Sequence, residues 1–276
     1  MVRVTFQGER GAFAEDAAVS FFGDAELVTY RHLEDVFISV LKGEADFGVV
    51  AAENSLAGSI NETYDLLLEH DVNIYGEIEL RINHCLVALP GERLADIKTV
   101  YSHPQALAQC EDFLRKELDA EVVPTYNTAA AAKRIREEGL KGCAAIASRR
   151  AAQIYGLEVL AENIETSEDN YTRFFVISRL KPAPAAKNKT SLVFSTKNVP
   201  GALYACLGAF ANRNINLTKL ESRPSKKKPW EYVFYVDFEG HVEDEVCHQA
   251  LVELKEKTNF MKVLGSYPRA ENRVSA

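Results

Sequence analysis

Val2-Arg-Val-Thr-Phe-Gln-Gly-Glu-Arg-Gly-Ala-Phe13 decides the fold class. Apart from Arg3, residues 2–6 are β-branched or aromatic, and they read as a strand. Gly8 and Gly11 then punctuate a turn, and Phe13, Ala17 and Phe21 recur at spacing four as one stripe of a helix from about Gly11. The pattern repeats twice. Residues 27–30 lead to a helix from about Leu33, and residues 47–51 lead to a helix from Ser59, where Ser59-Ile-Asn-Glu62 has the form of a capping box. Strands that alternate with helices imply a mainly parallel sheet and the α/β class.

Outward from this first lobe, residues 73–89 form a long extended stretch. A second α/β group follows: a strand at 98–101, a helix from Pro104, a strand at 121–123, a helix from Thr128 and a strand at 143–147. Ser148 and Gly156 bracket one more short helix, before extended residues 157–161 and a strand at 173–178. Two lobes joined by extended crossovers leave a cleft, where ligands usually sit. The spacing predicts lobe one over about 1–78 plus 163–180 and lobe two over about 79–162. Residues 181–189 carry the proline, small and charged residues of a linker. Beyond it, over 190–270, the order is strand, helix, strand (215–222), strand (231–238), helix, strand, the βαββαβ arrangement of a ferredoxin-like plait.

With 276 residues, 47% hydrophobic and 26% charged, the chain is long enough for two compact units and is not disordered. Its net charge of −8 argues against a nucleic-acid binder, which needs basic surface. The one basic run, Lys226-Lys-Lys228 between Pro224 and Pro229, reads as a solvated loop. Five cysteines without a Cys-x-x-Cys pair read as reduced core residues, as expected in a cytoplasm. No apolar run has the length of a membrane span, so membrane insertion is not expected.

Polar residues gather where strands end. Glu53-Asn-Ser-Leu-Ala-Gly-Ser59 follows an apolar strand, and a structural role is evident only for Gly58 as a turn residue and Ser59 as a cap. Tyr101-Ser-His-Pro-Gln-Ala-Leu-Ala-Gln109 repeats the arrangement in lobe two. There Pro104 opens a helix, Leu107, Cys110 and Leu114 form its buried stripe, and Gln105 and Gln109 share another face. For Ser102 and His103, capping competes with ligand contact, and the sequence offers His103 no orienting partner as a base. His84, alternating with Ile82 and Leu86, reads as structural. Asp169-Asn-Tyr-Thr-Arg-Phe-Phe175 enters the last strand of this region; Thr172 can donate one hydrogen bond and Arg173 can grip a carboxylate.

The Gly8-x-x-Gly11 loop, Glu53-Asn-Ser-x-x-Gly-Ser59, Ser102-His-Pro-Gln105, Asn127-Thr-Ala129 and Thr172-Arg-Phe174 stand in the order of the prephenate dehydratase family, which the chain resembles over nearly its whole length. Asn198-Val-Pro-Gly-Ala-Leu203 and Asn216-Leu-Thr-Lys-Leu-Glu-Ser-Arg-Pro224 resemble the phenylalanine-binding segments of its ACT domains. The resemblance implies a periplasmic-binding-protein-like (type II) two-lobed catalytic region and an α+β ACT domain. It implies conversion of prephenate to phenylpyruvate without metal or organic cofactor, with arogenate dehydratase, or a two-lobed ligand sensor without catalysis, as the alternatives. Feedback by L-phenylalanine in a homodimer or homotetramer would follow. Thr172 is then placed beside the leaving hydroxyl, with Asn54, Ser102 and Gln109 at catalytic positions. Substrate binding falls to Arg173, Phe174, Glu53, Ser55, Gly58, Ser59, His103, Gln105, Thr128, Gly11 and Ala12. The effector site falls to Pro200, Gly201, Ala202, Leu203, Asn216, Leu217, Glu221, Ser222, Arg223 and Pro224. The sequence departs from the family pattern at Val50-Ala-Ala52, where a proline is common. It departs again at Gly11-Ala-Phe-Ala14, where a hydroxyl residue is common; that loop is expected to use its backbone.

Overall fold

The computed structural model describes residues 1–225, 232–270 and 273–275. The loop reading of Lys226–Lys228 and the strand start at Glu231 lie outside the described residues. By packing, the chain divides into one unit of residues 1–63, 78–175 and 272–276 and another of 64–77 and 176–271.

In the first unit, β1 (Arg3–Gln7), α1 (Phe13–Phe22), β2 (Glu26–Tyr30), α2 (Leu33–Lys42) and β3 (Phe47–Asn54) follow one another as the alternation predicts. Strand β1 pairs in parallel with both β2 and β3. A two-residue strand β4 (Gly58–Ser59) folds back on β3, so α3 (Asn61–Glu69) begins later than the capping-box pattern implied, and Ser59 belongs to the sheet. The strands β5 (Asn73–Arg81) and β11 (Tyr171–Ser178) complete this sheet with β16 (Arg273–Ser275), in the order β16-β5-β11-β3-β1-β2. The far ends of β5 and β11 run on into the second unit.

Between them lie β6 (Cys85–Ala88), β7 (Thr99–Ser102), α4 (Pro104–Gln109), α5 (Glu111–Glu117), β8 (Glu121–Pro124), α6 (Thr128–Glu138), β9 (Cys143–Ala147), α7 (Arg149–Tyr155) and β10 (Glu158–Glu162). They form the second lobe's sheet, ordered β10-β6-β9-β7-β8. It is mixed: β7 runs parallel to β8 and β9, whereas β6 is antiparallel to β9 and β10. The helix expected to run on from Pro104 breaks at Cys110. There the Gln109 carbonyl accepts the Thr166 N–H at 2.8 Å, an acceptor turned outward from the helical ladder. Cys110 and Ala106 still pack in the lobe's core with Val100 and Ile146.

In the second unit, β12 (Asn188–Thr196), α8 (Ala202–Ala211), β13 (Leu217–Pro224), β14 (Tyr232–Glu239), α9 (Glu245–Lys257) and β15 (Thr258–Pro268) give an antiparallel sheet ordered β13-β14-β12-β15. Leu192, Phe194, Val236 and Phe238 on one face meet Cys206, Phe210, Leu251 and Leu254 of the two helices. This is the βαββαβ plait; the other unit is the two-lobed, periplasmic-binding-protein-like region. All five cysteines are free, and among the described residues no helix is long and apolar enough to cross a membrane.

Candidate active site

Strand ends and helix starts of both lobes surround a cavity of about 370 Å³ within the first unit. Gln7, Gly8 and Ala12 reach it from the β1–α1 loop, Asn54 from the end of β3, and Thr172 and Phe174 from β11. His103, Gln105 and Gln109 come from the start and end of α4, and Asn127 and Thr128 from the start of α6. Open α/β sheets present ligands with such loops. Asn127 caps α6 by accepting the N–H groups of Ala129 (2.8 Å) and Ala130 (3.2 Å).

Two glycines make the approach of the lobes possible. Gly8 has φ 117°, and a Cβ there would lie 2.6 Å from Asn127 Nδ2. Gly11 has φ 86°, and a Cβ there would lie 2.6 Å from the Ala151 Cα. Ser148 fastens the same contact, donating to the Gly11 carbonyl at 2.6 Å while accepting the Ala151 N–H.

The deep wall is a ring of side-chain amides. Asn54 Oδ1 accepts the backbone N–H groups of Leu56 (3.1 Å) and Ala57 (3.0 Å), which turns its Nδ2 toward Asn170 Oδ1 (2.8 Å), the Tyr171 carbonyl (3.1 Å) and Thr172 Oγ1 (3.1 Å). Asn170 Nδ2 donates to Gln109 Oε1 at 3.1 Å, and Gln109 Nε2 returns to Asn54 Oδ1 at 3.3 Å. Because the Thr172 oxygen accepts from Asn54, its own hydrogen is left to donate elsewhere.

The candidates named from sequence meet unequal placements. Asn54, Gln109, Thr172, Phe174, His103, Gln105, Thr128 and Ala12 line the cavity. Arg173 does not: successive side chains of a strand face opposite ways, and Arg173 lies over the Phe175 ring at 4.7 Å and 3.9 Å from Glu53. Glu53 shares that placement. Ser102 is fully buried and donates to the Ile146 carbonyl at 2.7 Å, away from the cavity lining. Ser55 clasps the chain before β11, donating to the Asp169 carbonyl (2.6 Å) and accepting the Tyr171 N–H (2.9 Å). Gly58 and Ser59 pair as β4, and Gly11 packs on Ala151.

Residues outside the candidate set also line the cavity: Arg31 and Tyr126, which the sequence reading passed over, and Glu62 and His84, to which it gave structural roles. Arg31 lies over the Tyr126 ring at 5.3 Å, a contact between residues far apart in the chain. Tyr126 donates to Glu9 Oε1 at 2.6 Å, and burial with that carboxylate pushes its hydroxyl pKa up. Burial pushes the imidazole pKa of both His84 and His103 down, favouring the neutral forms. His103 caps α4, its Nδ1 accepting the Gln105 N–H at 3.2 Å.

In the second unit the ten effector candidates divide. Pairing register puts Leu217 and Ser222 opposite Phe238 and Phe234, on the face the helices cover, where Leu203 of α8 also packs. Glu221 pairs with Tyr235 and Arg223 with Val233 on the opposite face. Gly201, with φ 77°, caps α8 behind Pro200 and ahead of Ala202; Asn216 stands before β13 and Pro224 ends it.

Comparison with known proteins bears on this arrangement. The family model described as prephenate dehydratase matches residues 4–182, and the ACT domain model matches 190–246. A bifunctional chorismate mutase/prephenate dehydratase of Aquifex aeolicus (strain VF5) is 47% identical over 98% of this chain and 74% of its own length. Arogenate dehydratase/prephenate dehydratase 2, chloroplastic, of Arabidopsis thaliana is 46% identical over 97% of this chain and 73% of its own. Among solved structures, a prephenate dehydratase from Arthrobacter aurescens in complex with L-Phe superposes with a TM-score of 0.90 at 35% identity, covering 100% of this chain and 92% of that one. GqqA, described as a novel type of quorum quenching acylase, superposes with 0.90 at 36% identity, covering 98% of both chains. A family model over most of the chain and relatives this similar along its length place the protein in the prephenate dehydratase family, with an ACT domain following the catalytic region.

Proposed function

We infer that the protein is a prephenate dehydratase that acts in phenylalanine biosynthesis and is restrained by L-phenylalanine through its ACT domain. The observation that carries the reading is the Thr172 hydroxyl, held through its oxygen by Asn54 Nδ2 on the cavity wall with its hydrogen free to donate. In the reaction the ring carboxylate leaves as carbon dioxide. The electrons of its C–C bond enter the ring, the C–O bond opposite breaks, and the hydroxyl takes a proton and departs as water. Aromatisation drives the step. A threonine is too weak an acid to be the proton's source, so Thr172 donates a hydrogen bond to the departing oxygen or relays a proton to it.

Prephenate carries two carboxylates, and the cavity offers cationic and dipolar groups on its lobe-one side. Arg31 stands at the rim, and Phe13 and Ala14, the first residues of α1, line the wall. Arg31 therefore takes the carboxylate-gripping role that the sequence assigned to Arg173. Neutral Phe174, Ile82, Ile60 and Ala106 line other parts of the cavity and favour loss of the carboxylate that becomes uncharged carbon dioxide.

The decisive assay supplies purified protein with prephenate and follows phenylpyruvate and carbon dioxide in equal amounts; no phenylpyruvate would overturn the reading. The Arabidopsis relative, named for both substrates, favours arogenate as a second reading. The ratio of kcat/KM on the two substrates decides between them.

Regulation rests on the ACT match and on the L-Phe complex of the Arthrobacter relative. Strand β13 is an edge of its sheet and exposes Leu220, and α8 exposes Tyr204, both suited to contact with a second copy in a homodimer or homotetramer. Phenylalanine should lower activity and stabilise the oligomer, read by light scattering with and without it. Free, largely buried cysteines suit a cytoplasmic setting.

A further inference from the structure

His84, in the turn between β5 and β6, is 2% exposed and lines the cavity. Its Nε2 lies 3.0 Å from Gln109 Oε1, its ring meets Phe13 edge to face at 5.4 Å, and its Nδ1 has no hydrogen-bond partner among the described residues. The amide ring fixes which of these nitrogens holds the proton, and backbone groups that cannot exchange roles set the direction. Asn54 must turn its oxygen to two backbone N–H groups and its nitrogen to the Tyr171 carbonyl. Its nitrogen then meets Asn170 Oδ1, so the Asn170 amino group faces Gln109, and the Gln109 oxygen faces both Asn170 and His84. An oxygen accepts. His84 must therefore bind it through Nε2–H, which leaves Nδ1 bare.

With the proton on Nδ1 instead, Nε2 and Gln109 Oε1 would set two lone pairs face to face at 3.0 Å. Turning the Gln109 amide would only move the conflict, because its oxygen would then meet Asn54 Oδ1 and Asn170 Oδ1, which now accept from Gln109 Nε2 at 3.3 and 3.4 Å. Every donor in the ring thus has one direction, and the last bond is Asn54 Nδ2 to Thr172 Oγ1. We propose that His84 is a positioning residue for dehydration: as the Nε2–H tautomer it closes this one-way chain, holding the Gln109 and Asn54 amides so that the Thr172 hydrogen points at substrate. The proposal deepens the dehydratase reading and rests on it for the role of Thr172.

Two measurements test it. Nitrogen-15 spectra of the imidazole in the substrate-free, full-length protein should show a protonated Nε2 and an unprotonated Nδ1 for His84; the opposite tautomer overturns the proposal whatever the activity. In prephenate turnover, His84→Leu should lower kcat about 10–100-fold, the range typical of groups that orient reacting residues, with KM within about threefold. His84→Gln, whose amino group can reach the Nε2 position, should recover most of that loss. A His84→Leu protein with normal kcat, or with KM alone raised, would overturn the proposal. If that variant fails to fold, the tautomer and the His84→Gln rate still decide. Thr172→Val is the separate control: full activity there would sink the role of Thr172, while the tautomer would still be read directly from the spectrum.

Discussion

The cavity wall and strand β13 were both singled out as ligand sites, and they are built in opposite ways. At the wall, Asn54, Gln109, Asn170 and Thr172 come from three distant segments and converge within hydrogen-bond distance, all on one chain. At β13 the candidates are neighbours in sequence yet fall on two faces of one sheet, with Ser222 toward the helices and Glu221 and Arg223 away from them. The first set of side chains meets within a single copy. The second spreads its candidates over two faces of one edge strand, which fits the proposal that a second copy contributes to it. Chemistry and control therefore should respond differently to substitution.

The wall should break hardest. Thr172→Val keeps shape and removes the hydroxyl that the proposed mechanism sets beside the leaving group, so kcat should fall about 10²- to 10³-fold with KM little changed. Steady-state rates on prephenate check this; a KM effect alone would recast Thr172 as a binding residue. Next comes the rim. Arg31→Met leaves the hydrocarbon stem near Tyr126 and deletes the charge, so kcat/KM should drop about 10–100-fold, the worth of a charge-assisted hydrogen bond. Arg173→Met, whose guanidinium lies by Glu53 and Phe175, should instead show itself in the melting temperature, and a larger loss in KM there than at Arg31 would return the anchor to Arg173.

At β13 the expected effects are on inhibition, with basal turnover unchanged. Glu221→Ala should weaken phenylalanine inhibition by about 2- to 10-fold, the value of one hydrogen bond. Ser222→Ala separates the faces: if phenylalanine binds on the face of Glu221, away from the helices, only Glu221→Ala moves the inhibition constant. The paired variant leaving inhibition intact would remove the strand from the effector site altogether.

What the sequence made legible follows the same division. The alternation of strand and helix around Gln7-Gly8 and Glu53–Ser59 was enough for the parallel pairing of β1 with β2 and β3, because short βαβ steps leave few topologies. Thr172 and Arg173 were read together at the cleft, although period-two alternation must separate neighbours on a strand, and β11 runs straight through both. The split at β13 was harder to foresee. Leu217 pairs with Phe238 but Lys219 pairs with Asp237, so a bulge at Thr218 shifts the register and moves Glu221 and Ser222 relative to Leu217. Ser102 was legible only as a polar residue at a strand end; that its hydroxyl goes to Ile146 depends on the parallel pairing of β7 with β9. Arg31 had no local signal at all, since Tyr126, which it stacks on, belongs to the other lobe.

The smallest effect separates the two regions by pH. Burial depresses the pKa of His84 and His103 below the ordinary value of 6.5, so in this window the unfolded chain holds more protons than the native one. Stability contributed by the neutral imidazoles is fully present above about pH 6.5 and is lost as pH falls from there toward the folded-state values. The melting temperature should decline over that interval. His84→Gln, which cannot titrate, should flatten the decline, whereas Glu221→Ala should leave its slope below pH 6.5 nearly as it was. If His84→Gln melts with an unchanged pH slope, the buried imidazole is not the group that the wall holds neutral, and the protonation state argued for the amide ring loses its thermodynamic support.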